Sequence, residues 1–96
     1  MTKVEKHLSI CNQLNAIYER KNHDYGDSFA KSYREYGMTM PCIRLEDKLN
    51  RLKALVKSGS AQVTDESLRD TLLDLANYAI MTVLEMDSEG DALPYD

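Results

Sequence analysis

Apolar positions recur at steps of three and four along most of the chain, and they divide it into four helical segments. Val4, Leu8, Cys11, Leu14 and Tyr18 form one stripe, widened by Ile10 and Ile17, which predicts an amphipathic helix from about Lys3 to Lys21. Thr2 and Glu5 stand at capping-box spacing ahead of it, a pattern that satisfies the first orphan amides of a helix. The stripe gives way to Lys21-Asn22-His23-Asp24-Tyr25-Gly26-Asp27-Ser28, which is dense in turn formers and reads as a loop. A short helix is predicted over Phe29–Tyr36, with Asp27 or Ser28 as its N-cap, Gly37 at its C-terminal end, and Phe29, Tyr33 and Tyr36 on one face.

The third helix is expected to begin near Pro41, with Thr39 just upstream, because proline suits a first turn. Cys42, Leu45, Leu49, Leu52 and Val56 give its apolar stripe, Gly59 ends it, and Ser58-Gly59-Ser60-Ala61-Gln62 has the composition of a flexible loop. The fourth helix is expected to start with Thr64 as N-cap, to carry Asp65 and Glu66 in its first turn, and to run to about Met86. Leu68, Leu72, Leu73, Leu75, Ala76, Ala79, Ile80, Val83 and Leu84 cover more than half its circumference. A helix so apolar should be central, buried by its own chain and by another subunit. Residues 87–96 are acidic, contain Gly90 and Pro94, and read as a flexible tail. No segment has the period of a strand. The expectation is an all-α, four-helix bundle-like domain over residues 1–86, one of its helices short, completed by homo-oligomerisation.

Composition sharpens this picture. At 96 residues and 11.0 kDa, 43% hydrophobic and 29% charged, the chain is a single folded domain rather than a disordered one. So short a chain buries a modest fraction of its surface, which is the physical reason for expecting oligomerisation. A net charge of -4 leaves no basic excess to grip a phosphate backbone, so DNA and RNA are excluded as partners. No apolar run approaches the roughly 18 residues of a membrane span, and the start MTKVEKHLSI has no signal-peptide core. Cys11 and Cys42 have no C-x-x-C spacing and lie on apolar stripes, so both are expected to be reduced core residues of a cytoplasmic protein.

Three polar groups stand out from an ordinary solvated surface. The first is the segment Lys21 to Ser28, where Lys21, Asn22, His23, Asp24, Tyr25, Asp27 and Ser28 crowd beside a helix N-terminus. Amides at a helix start favour an anion, and tyrosine offers a face on which a base can stack; the alternative is a plain helix-to-helix connection. The second is Arg44, Asp47, Lys48 and Arg51 on one face of the third helix, able to grip phosphate through arginine forks, or else a salt-bridged exposed face with Asp47 and Arg51 paired. The third is Glu66, Asp70, Asp74 and Asn77, aligned along the fourth helix. Stacked carboxylates repel by a few tenths of a kcal/mol per pair, which Mg²⁺ with substrate phosphates, or facing arginines, would offset; a solvated polar face is the plainer reading.

These blocks resemble the nucleotide modification associated domain 1 family of bacteria, phages and prophages. The likeness is carried by Lys21–Phe29, by Arg44-Leu45 with Asp47–Lys53, and by Asp70–Met81, and covers about residues 18–86. Apart from Glu66, the three polar groups fall inside these blocks, which implies one shared site. The layout is also similar to the MazG-like all-α nucleoside triphosphate pyrophosphohydrolases, which hold Mg²⁺ with E-E-x-x-E and E-x-x-D motifs. Here Asn50 stands where the last acid of the first motif belongs, and Ser67 where an acid of the second belongs. Both are weaker Mg²⁺ ligands than carboxylates.

The resemblance therefore implies a phage-type protein of the bacterial cytoplasm that binds and sequesters a nucleotide, or a cyclic-nucleotide immune signal, without cleaving it and without a cofactor. Tyr25 would stack the base, and Lys21, Arg44, Lys48 and Arg51 would hold phosphate. Asp70, Asp74 and Asn77 would take ribose hydroxyls or base edges. The alternative is a Mg²⁺-dependent pyrophosphohydrolase with Asp47, Glu66, Asp70 and Asp74 as metal ligands, and a third reading is a helical interaction module whose polar stripes join subunits.

Overall fold

A computed structural model of the chain describes residues 1–59 and 65–92 and contains four helices: α1 (Lys3–Tyr25), α2 (Ser28–Tyr36), α3 (Thr39–Ser58) and α4 (Asp65–Ala92). The fold is all-α, as the periodicity predicts. Thr64, the expected N-cap, and the centre of the loop before it lie outside the described residues, as do the side chains of Asp65 and Glu66 and of residues 89–92.

α1 begins with the expected capping box. The Thr2 hydroxyl accepts the Glu5 amide at 3.1 Å, and the Glu5 carboxylate accepts the Thr2 amide at 2.8 Å. These bonds hold the Glu5 carboxyl below its ordinary range, chiefly through the Thr2 amide. The expected end at Lys21 is corrected: the helix continues to Tyr25, so most of the presumed loop is helical. Asn22, His23 and Asp24 are weak helix formers, but extending a helix costs far less than nucleating one. The chain turns only at Gly26 and Asp27, both left-handed at φ 61° and 57°, and the Asn22 carbonyl accepts both of their amides.

Asp27 precedes α2, but its side chain makes no capping bond, because the left-handed backbone aims it away from the first amides. Gly37 ends α2 at φ 66°, its amide donating to the Tyr33 carbonyl at 2.7 Å. Phe29 and Tyr33 are buried, whereas Tyr36, expected on the same face, is exposed. α3 starts two residues before Pro41, which is fully buried in the first turn where its missing N–H is no loss. Gly59 closes α3 in the left-handed conformation.

α4 runs to Ala92, past the expected end at Met86, with the Ser88 hydroxyl returning to the Leu84 carbonyl at 2.8 Å. Its buried hydroxyls are satisfied in the same way, Thr71 on Ser67 O and Thr82 on Tyr78 O.

Phe29, Tyr33 and Met40 form the core, with Tyr78 and Met81 of α4 packed against it. Leu14 of α1 and Leu73 of α4 are also buried. Two expectations are corrected by this packing. Cys11 and Cys42 are exposed free thiols, Cys11 lying 3.7 Å from His7 Nδ1, because the stripes that carry them are covered over only part of their length. On α1 burial is confined to Leu14, with Ile17 and Tyr18 half-buried, while Val4 and Leu8 are open. On α3 Leu45 and Leu52 are half-buried, and Leu49 and Val56 are exposed.

Candidate functional site

Part of each of the three polar groups meets where the C-terminal half of α1 packs on the middle of α4 beside the starts of α2 and α3. α1 supplies Ile17, Tyr18, Lys21, Asn22 and Tyr25, whose spacing places them on one helical face because α1 stays helical to Gly26. α2 contributes Ser28, Phe29 and Ser32, and α3 contributes Met40 and Arg44. α4 closes the floor with Asp74, Asn77, Tyr78 and Met81. Together they line a cavity of about 310 Å³, at the small end of the range for ligand sites.

Asp74 is the electrostatic centre. Its carboxylate accepts the Lys48 ammonium at 3.0 Å and lies 3.6 Å from that of Lys21, so one side chain ties α1 and α3 to α4. Two further bonds fix the crossing of α1 and α4. Asn77 Nδ2 donates to the Leu14 carbonyl at 3.1 Å, and Arg69 Nη2 donates to Gln13 Oε1 at 2.7 Å. The Phe29 and Tyr78 rings stack with centroids 6.0 Å apart and an interplanar angle of 25°, an offset arrangement favoured by their quadrupoles.

Tyr18 stands in the cavity wall as a neutral phenol. Burial pushes its phenol above the ordinary tyrosine range, and the carboxylates of Asp27 and Glu85 add to the effect. Glu85 is likewise raised, first by burial and then by Asp27, with Arg34 opposing.

Lys21, Asn22, Tyr25, Ser28, Arg44, Asp74 and Asn77, all expected from the sequence, line the cavity. Lys48 joins it through Asp74. His23, Asp24, Asp27, Asp47, Arg51 and Asp70 are exposed and do not line it. The expected pairing of Asp47 with Arg51 gives way to ion pairs centred on Asp74 among the described residues. Of the acids named for a metal, Asp47 and Asp70 are exposed, Asp74 is held by lysines, and the Glu66 side chain lies outside the described residues. Among the described residues no three His, Cys, Asp or Glu side chains group to hold a metal ion.

The sequence does not mark the rest of the lining as site: the apolar and aromatic Ile17, Tyr18, Phe29, Met40, Tyr78 and Met81, together with Ser32. A signal for it existed in the continuation of the α1 stripe, because Leu14, Tyr18, Lys21 and Tyr25 follow one another at helical steps and pass from core into polar group.

A family model described as nucleotide modification associated domain 1 matches residues 21–86. The match spans every cavity-lining residue except Ile17 and Tyr18. No curated protein and no solved structure matches the chain. Among the described residues no helix is long and apolar enough to cross a membrane.

Proposed function

The chain belongs to the nucleotide modification associated domain 1 family, and on that premise we propose that its four-helix cavity binds a nucleotide or cyclic nucleotide and sequesters it intact. The observation that carries this reading is the meeting of opposite chemistries in one cavity. Lys21 and Arg44 stand on separate helices, with the amides of Asn22 and Asn77 and the rings of Tyr18, Tyr25 and Tyr78 between and around them. Cations suit phosphate, amides suit base edges or ribose hydroxyls, and aromatic faces suit a base. Tyr25, 68% exposed, is free to fold over a bound base.

Binding without cleavage is supported by the state of Asp74. A carboxylate already bridged by two ammonium groups offers little negative charge to Mg²⁺, and metal-assisted attack of water needs such carboxylates unmasked. A phage-type role in removing a host immune signal from the bacterial cytoplasm would follow from tight binding without turnover.

The test is to incubate the protein with nucleoside triphosphates, cyclic dinucleotides and cyclic ADP-ribose isomers in the presence of Mg²⁺. Filtration and heat denaturation then separate free from bound ligand for mass spectrometry. Recovery of one ligand intact from the protein supports sequestration. Accumulating monophosphate would replace it with a pyrophosphohydrolase. Arg44→Ala removes a charge-assisted phosphate contact worth about 1.5–3 kcal/mol, so affinity should fall by roughly ten- to a hundredfold while helicity is unchanged.

A further inference from the structure

The protomer leaves more surface open than a monomer of its mass should. Its accessible surface is 7363 Å², against roughly 5,600 Å² expected for a folded monomer of 11.0 kDa. Its radius of gyration is 15.7 Å and its longest extent 53 Å, where a compact chain of this length has a radius near 12.5 Å. The excess area of roughly 1,700 Å² is about twice what one partner contributes to a standard interface.

Apolar side chains on this open surface follow a pattern. On α4, Leu72, Ala76, Ala79, Val83 and Met86 follow one another at steps of four, three, four and three, the spacing of a coiled-coil seam. Leu72, Val83 and Met86 are 50%, 55% and 48% exposed, and Ile80 beside them is 52% exposed. The opposite side of α4 carries the bonds to α1 and α3 through Asn77 and Asp74, so this face is left over after the protomer has folded. A second apolar surface lies on the N-terminal half of α1. There Val4 and Leu8, 79% and 59% exposed, extend the stripe on which Leu14 is buried.

We propose that a second copy of this chain covers the α4 face through the seam Leu72–Ala76–Ala79–Val83–Met86, and that the α1 arm of each copy adds Val4 and Leu8 to the contact. A two-fold arrangement uses both surfaces at once, since an isologous interface pairs each element with its equivalent reciprocally. The small side chains Ala76 and Ala79 at the seam's centre let helix axes approach closely. A row of exposed apolar side chains along one helix face marks an association site, and the open area suffices for a self-interface without a different partner.

Sedimentation velocity on the full chain tests this. The wild type should sediment above its 11.0 kDa protomer mass, and Val83→Glu should return it to that mass with the helical circular dichroism retained. If Val83→Glu loses its helical spectrum, Leu8→Glu decides, because Leu8 lies exposed on the arm and outside the protomer core. A wild type that sediments as the protomer at every concentration overturns the proposal, and so does an assembly that survives both substitutions.

Discussion

Asp74 is where the conflict between stability and ligand is sharpest. It holds Lys21 and Lys48 at the cavity edge, the groups a phosphate would otherwise engage. Partly exposed ion pairs contribute about 0.2–1 kcal/mol each, so Asp74→Asn should cost about 1 kcal/mol of stability in a thermal melt. It should also release both ammonium groups and tighten anion binding, by up to about tenfold for 1.4 kcal/mol, read by calorimetric titration. A metal-dependent hydrolase would respond oppositely, losing turnover with the carboxylate. Glu85 gives a second prediction with a definite sign. Its carboxyl is raised by burial and by Asp27, so the fold favours the protonated form. The associated stability is fully present below the unfolded value and is lost as pH rises through the folded value. Glu85→Gln should therefore raise the melting temperature at neutral pH, with the advantage shrinking as the buffer approaches about pH 4.

At the scale of elements, the joint between α1 and α2 shows how much the sequence could say. Gly26 and Asp27 were both visible as turn residues, and the helices on either side were legible from their periodicity. What the residues did not reveal is that Lys21 to Tyr25 remain helical, because a terminating glycine five residues downstream outweighs the weak local preferences of Asn22 and Asp24. That extension brings Lys21, Asn22 and Tyr25 onto one face and aims His23 and Asp24 elsewhere, so half of the polar cluster enters the cavity and half does not. The hydrophobic half of the cavity was hidden for a different reason: Tyr18, Phe29, Tyr78 and Met81 fit an ordinary core pattern, and periodicity cannot separate core from cavity wall. The joint itself is testable. A Cβ added at Gly26 meets nothing within 4 Å, so Gly26→Ala carries only the left-handed backbone penalty, about 1 kcal/mol, or roughly 4–8 °C in melting temperature for a domain of this size. Asp27→Asn keeps a side chain tolerated at positive φ and removes the charge facing Glu85 and Tyr18. It should leave stability unchanged or slightly raised.

For the whole molecule, the proposed ligand site and the proposed self-interface rest on different physics, and salt separates them. The chain carries a net charge of -4, so an anionic ligand is repelled at long range and attracted only near Lys21 and Arg44. Sodium chloride screens both terms, but the short-range attraction carries the affinity, so nucleotide binding should weaken as the Debye length falls from about 30 Å to about 8 Å. None of the five seam positions, Leu72, Ala76, Ala79, Val83 and Met86, is charged, and burial of apolar surface is strengthened by excluded salts such as sulfate. Like-charged protomers also repel less when screened. Rising ammonium sulfate should therefore shift sedimentation toward the assembly while calorimetry reports weaker nucleotide binding, the second effect sharpened by sulfate competing for the phosphate cations. If both quantities moved in the same direction with salt, the cavity and the seam could not be separate surfaces, and binding would have to draw on residues from two copies at once.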